Sequence, residues 1–151
     1  MVYIKMIESV SKRNIFTKKI KMNDIENIED IKIFVNEFYG KIQEDDLLGP
    51  VFALKIEKDN WQVHLEKMYG FWNTVLFHQA GYKGNPAAAH FGLPVDKKHF
   101  DKWVELFKNT IDKNFQGAKA EETKQRVDIM AAVFLAKIQF NQSNPNFKPI
   151  I

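Results

Sequence analysis

The sequence predicts an all-α domain, and three observations predict it. Apolar residues recur three and four positions apart in four separate segments, as they do on helices that bury one face. Most of those segments carry their own cap or breaker residues at the ends. The composition, thirteen Phe and three Trp against seven Gly with 45% hydrophobic residues, suits a helical globule with an aromatic interior, and 151 residues are enough for one domain with a real core.

The first helix starts after Asn27, a good N-cap with Asp30 three residues on, and its stripe is Ile28, Ile31, Val35, Phe38 and Ile42. Tyr39 sits beside that stripe, where a tyrosine is often a boundary residue with its hydroxyl in water. Asp45-Asp46 leads into Leu47-Leu48-Gly49-Pro50-Val51-Phe52, read as a compact turn in which Gly-Pro stops the helix. Residues 55–60 form a polar connector. The next helix begins at Trp61 and runs to about Gln79, with Trp61, His64, Leu65, Met68 and Trp72 on one face. A histidine in such a stripe is more often a hydrogen-bonded core residue than a functional one.

The segment Asn85-Pro86-Ala87-Ala88-Ala89-His90-Phe91-Gly92-Leu93-Pro94 is a complete set of signals for a very short helix. Asn85 caps it, Pro86 opens it, Gly92 ends it and Pro94 prevents its resumption. Two turns are not stable alone, so something else must hold them. Three small Ala and a terminal His fit a flat ligand with a metal, although a surface loop with a solvated His fits these ten residues as well. After Asp96, a cap, a long helix carries Phe100, Trp103, Phe107, Thr110 and Ile111, which turns Trp103 inward. Gln116-Gly117 breaks it. A last helix over 119–140 buries Val127, Met130, Phe134 and Ile138, and a polar tail follows over 141–151.

Charge and cysteine content narrow the function. The net charge is +3, but residues 1–21 alone hold +5, from six Lys and Arg against Glu8, which leaves −2 for the rest. The basic character therefore belongs to a leader, with Met22 as an alternative start, and the domain has no basic stripe for nucleic acid. No apolar run has the form of a secretory signal or the length of a membrane span. Zero Cys excludes disulfides, thiolate metal sites and covalent haem attachment, and is compatible with a cytoplasmic location.

Taken together, Phe38-Tyr39, Leu48-Gly49-Pro50-Val51-Phe52, Trp61-x-x-His64-x-x-x-Met68-x-x-Phe71-Trp72, Tyr82-x-Gly84-x-Pro86-x-x-x-His90-x-x-Leu93-Pro94 and Phe100-x-x-Trp103-x-x-x-Phe107 resemble the truncated haemoglobins, and within them the third group. The resemblance covers roughly residues 24 to 140, so it makes 22–140 the globin domain. It implies a two-over-two helical sandwich, with the His90 segment across its open edge, around a non-covalent haem b. It implies His90 as the proximal iron ligand, and Tyr39, His64 and Trp103 as the distal pocket for O2, NO or CO. Phe52 would stack on the haem, Met68 and Leu93 would wall it, and Lys67 would meet a propionate or simply be solvated. The remaining histidines, His78 and His99, are read as surface residues.

Three functions stay open on this reading. One is a monomeric haem protein that binds diatomic gases, as in oxygen transport. Another is a haem enzyme with NO-dioxygenase or peroxidase-like turnover and a reductase partner. The last is a haem-free helical interaction module.

Overall fold

The computed structural model describes residues 21–146. Five α-helices form the fold: α1 (Ile28–Glu44), α2 (Gly49–Ala53), α3 (Trp61–Phe77), α4 (Lys97–Asn114) and α5 (Ala118–Ser143). Single 3-10 turns at Lys58–Asn60 and Ala88–His90 complete it, and no strand occurs among the described residues. No helix is long and apolar enough to cross a membrane among those residues. The leader, apart from Lys21, and residues 147–151 of the tail lie outside the described residues.

Asn27 caps α1 as its sequence indicates, its side-chain oxygen accepting from the Glu29 and Asp30 amides at 2.9 and 3.3 Å. The Asp30 carboxylate reaches back to the Glu26 amide at 2.9 Å, which satisfies a further donor at the helix entrance. The buried face holds Ile31, Phe34, Val35, Phe38, Tyr39 and Ile42, while Ile28, at the exposed first turn, stays out of the core. Gly49-Pro50 does not stop α1, which has already ended at Asp45. Instead the pair opens α2, with Pro50 second in its first turn, where a missing N–H leaves no intrahelical bond unmade and the fixed φ suits a helix.

Helix α1 packs on α3 and α4, and α4 packs on α5, so one pair (α1, α3) lies over another (α4, α5). Interlocking rings join the two layers. Phe34 meets Trp72 and Phe107 edge-on at 5.8 and 5.7 Å, Phe38 meets Phe107 at 5.1 Å, and Trp72 stacks on Phe107 at 5.1 Å. A polar clamp also joins α1 to α4. Glu37 accepts from Lys113 Nζ and Asn114 Nδ2, each at 2.8 Å, and pairs with Lys41 at 3.1 Å. Burial pushes its carboxyl up, but these three donors outweigh burial and hold it at about 2.

The start of α5 is built from afar. Its N-cap, Gly117, has no side chain to offer, and Asp24 supplies the cap by accepting from the Lys119 and Ala120 amides at 2.8 and 2.7 Å. A Cβ on Gly117 would strike the Asp24 side chain, and its φ of 154° also favours glycine. The last helix extends to Ser143, so the first three residues of the expected polar tail are helical.

Candidate functional site

A cavity of about 690 Å³ opens between the two helix pairs, large enough for a sizeable organic ligand. Elements distant in sequence supply its walls: Tyr39 from α1, Phe52 from α2, His64, Lys67 and Met68 from α3, His90 and Leu93 beyond the loop, Trp103 from α4, and Met130 and Phe134 from α5. All eight residues that the sequence singles out are thus brought into one space.

His90 is held by an unusual segment. The expected two-turn helix is a single 3-10 turn, Ala88–His90, with Asn85 Oδ1 accepting from the Ala88 amide at 3.2 Å and Gly92 ending it at φ 78°. A proline at each end of so short a stretch leaves no room for α-helical bonding to propagate. The segment is tied down by the His90 ring itself, whose Nδ1 lies 2.6 Å from the Pro86 carbonyl oxygen. A carbonyl only accepts, so Nδ1 carries the proton and Nε2 keeps a free lone pair. The ring packs against Phe134 at 4.8 Å and 30°. Burial pushes the His90 pKa down; the Pro86 bond opposes it and Lys55 adds to it, and the net shift is downward. The ring is therefore neutral near pH 7, the form that ligates metals.

On α3, His64 presents a different chemistry. Its Nε2 is buried and has no hydrogen-bond partner, the lone orphan of this kind among the described residues. Leaving such an atom unpaired costs about 1–3 kcal/mol, a cost that a water or a guest in the cavity would relieve. The ring is fixed by T-shaped contacts with Tyr39 at 4.8 Å and Trp61 at 5.7 Å. Burial, followed by the charge of Lys67 and of His90, lowers its pKa to about 4, which keeps it neutral too.

Tyr39 is 6% exposed, so it is not a boundary residue with its hydroxyl in water. Burial pushes its phenol pKa up, which keeps it a proton-bearing donor, and the hydroxyl makes no hydrogen bond to the described residues. Trp103 is half-buried, wedged against Phe38 at 5.9 Å and Phe107 at 6.1 Å, and reaches the same cavity. Phe52 stacks on Trp61 at 6.4 Å and 21° and meets Tyr39 at 6.0 Å. Met68 and Leu93 are half-buried wall residues, and Lys67 is exposed at the rim.

These groups suit haem. Among the described residues no cluster of three or more His, Cys, Asp or Glu is placed to hold a bare metal ion. A macrocycle that brings its own four nitrogens needs only one protein ligand, and His90 offers one free nitrogen. The apolar walls suit a flat ring, and the unpartnered His64 Nε2 awaits a guest in the same cavity.

The family model for bacterial-like globins matches residues 23–137. The chain belongs to the bacterial-like globin family. The group 3 truncated haemoglobin of Campylobacter jejuni is 29% identical over 111 residues, spanning 72% of this chain and 87% of that protein. A crystal structure of group III truncated haemoglobin from Campylobacter jejuni matches with a TM-score of 0.72 at 27% identity, covering 78% of this chain and 94% of that one. The helix pairing described above is therefore the truncated-globin fold, and this globin is a haem protein that binds diatomic ligands.

Sequence reasoning missed several residues of the globin's cavity. His78 is exposed, in a left-handed conformation at the end of α3, but His99 is not a surface residue. Its side chain is only 13% exposed, and it lines the cavity while its Nδ1 accepts from the Asp96 amide at 3.1 Å, closing a capping box. The usual box carries Glu or Gln at that position, so Asp96-x-x-His99 did not signal one. Phe134 is buried, as its spacing indicates, but its contact with the His90 ring was not foreseen. Lys55 and Lys83 come from connecting segments without periodicity, and no spacing marked them as cavity residues; Tyr82 belongs to the His90 motif but was given no place in the cavity.

Proposed function

We propose that this globin holds haem b non-covalently, with His90 as its sole protein ligand, and binds O2, NO and CO in a pocket formed by Tyr39, His64 and Trp103. The observation that carries the reading is the pair of neutral imidazoles in one cavity: His90 with Nδ1 committed to Pro86, and His64 with an unpartnered Nε2. Haem, when bound, supplies a ferrous iron that accepts one imidazole and one diatomic ligand and shifts negative charge onto O2. Pro86 fixes the His90 tautomer and ring plane and makes the imidazole a better donor through Nε2. Phe134 restrains rotation of the same ring. Phe52, Met68 and Leu93 exclude water and press on the macrocycle, and Lys67 meets one of its carboxylates. Tyr39 O–H and Trp103 N–H, both without a hydrogen-bond partner among the described residues, donate to a ligand that carries partial negative charge. His64 gates the pocket or joins them as a third donor. The domain that does this is 22–140, with residues 1–21 dispensable. The chain as purified from cells tests the reading: a Soret band that co-elutes with the protein and a pyridine haemochrome of the b type are expected, and a colourless chain that also fails to retain added haemin on gel filtration would overturn it.

The number of donors favours retention over delivery. A pocket with up to three donors releases O2 slowly, which suits NO or peroxide chemistry better than oxygen transport. Conversion of NO and O2 to nitrate consumes one electron, so this activity requires a reductase partner. Nitrate formed from NO by the reduced, O2-loaded protein, with turnover only when an electron donor is added, is the expected result; no nitrate would restrict the function to ligand binding.

A further inference from the structure

Helix α5 is apolar on two sides. Val127, Ala131, Phe134 and Ile138 face inward and are buried. On the other side Ile129, Ala132, Val133 and Ala136 are exposed, Ile129 by 63% and Val133 by 41%, and Phe140 continues the line at 52%. Ile129, Val133, Ala136 and Phe140 follow one another at helical intervals, so they form one stripe about 16 Å long at 1.5 Å per residue. A surface helix ordinarily turns charged residues outward, and an apolar stripe in their place marks a contact surface. Beside it lies a groove of about 340 Å³ between α4 and α5, lined by Phe100, Val104, Ala131 and Leu135 among others. Neither Ile129 nor Val133 lines the larger cavity, so the stripe is no part of the haem site.

The chain itself supplies an occupant. Soon after Lys21 the backbone is pinned to the start of α5: the Asn23 carbonyl accepts from the Gln116 amide at 3.0 Å, and Asp24 caps α5 through the Lys119 and Ala120 amides. The chain therefore enters the domain at the N-terminal end of the helix whose outer face is apolar. From Ala118 to Phe140 is about 33 Å along that helix, a distance that about ten extended residues span, and twenty precede Lys21. Nearly half of those twenty are large apolar residues, Ile4, Ile7, Val10, Ile15, Phe16 and Ile20 among them, a composition that gains from burial rather than from solvation. Their attachment beside α5 sets an effective concentration on the order of millimolar, which favours them over a second copy of the chain.

We propose that residues 1–20 dock along the outer face of α5, their apolar side chains covering Ile129, Val133, the adjoining alanines and the groove beside them. The contact is independent of the haem reading and needs neither haem nor His90. It withdraws from water an apolar face that would otherwise invite self-association.

Limited trypsin digestion of the full chain tests this, because the protease cuts after Lys12 and Arg13 and mass spectrometry follows those bonds individually. Cleavage of a docked segment is limited by the fraction that is undocked, so both bonds should be cut at least about tenfold more slowly than in a free peptide of residues 1–20. The double variant Ile129→Asp, Val133→Asp should speed cleavage of the chain about tenfold, a loss of about 1.4 kcal/mol of docking. Ile33→Asp, the same change at an exposed apolar position on α1, should leave the rate as it is. Circular dichroism and the haem spectrum check the fold of each variant, and Ile129→Ser, Val133→Ser replaces the aspartates if they disturb the helix. Native bonds cut at the peptide rate, a double variant that keeps its protection, or equal acceleration by Ile33→Asp would each overturn the docking. Protection that grows with protein concentration, with a matching rise in mass by light scattering, would overturn it in favour of a second copy on the same face.

Discussion

Replacing Tyr39 by Phe removes one oxygen atom from a site whose energetics the structure makes unusually clean. The side chain is buried but lines the cavity, and its hydroxyl bears its proton at any ordinary pH and makes no hydrogen bond to the described residues. Its loss therefore breaks no bond within the ligand-free protein, and thermal stability of that form should be unchanged or slightly higher. In the proposed O2 complex the same hydroxyl would donate to a partially anionic ligand, an interaction of about 1.5–3 kcal/mol. At about 1.4 kcal/mol per tenfold, Tyr39→Phe should speed O2 dissociation by roughly ten- to a hundredfold. CO carries far less charge, so its dissociation should barely change. Trp103→Phe should act in the same direction. If, as proposed, the two donors and His64 share one small ligand, one can compensate for another, and the double variant should exceed the sum of the single effects. Stopped-flow displacement on the three variants measures all of this. Equal acceleration of O2 and CO would refute the donor assignment and point to a change in cavity size.

Other perturbations test separate parts of the account. His64→Leu should retain haem and speed ligand association, and it should stabilise the haem-free form by about 1–2 kcal/mol because a buried orphan nitrogen is removed; unchanged association kinetics would count against a gate. Glu37 is held at about 2 against an ordinary 4.5, so its contribution is complete above pH 4.5 and is lost as pH falls toward 2. That contribution is at most about 3 kcal/mol, and Glu37→Gln should flatten acid unfolding across that window in a urea titration. Deleting residues 1–21 should leave the haem spectrum intact, whereas Asp24→Ala, which uncaps α5, should lower stability by about 1–2 kcal/mol. If the deletion instead collapses haem content, the leader supports the haem site.

What the sequence made legible follows the range of the interactions involved. Asn27 and Asp96 announce α1 and α4 because their caps bond to amides two or three residues away. The α5 cap was invisible, since Asp24 reaches amides 95 and 96 residues further on. Gly49-Pro50 was legible as a boundary but not in direction, because proline both ends one helix and opens the next. Tyr39, His64, His90 and Trp103 could be named because helical spacing and the family resemblance agree on which faces turn inward. Periodicity turned Phe134 inward but did not show that it meets the His90 ring, and it did not show His99 in the cavity, because both depend on how α4 and α5 sit against the His90 turn, a tertiary relation that spacing does not encode.

The central claim is that His90 Nε2 is the only bond from the chain to the cofactor's iron. Its most direct test is the visible absorption spectrum of the ferrous–CO form of the haemin-reconstituted protein, compared with that of His90→Ala with and without added imidazole. The account predicts a Soret band for the native chain, haem lost or loosely held in the variant, and recovery of the native spectrum when imidazole fills the space. A His90→Ala protein that shows the native ferrous–CO spectrum without imidazole would contradict it.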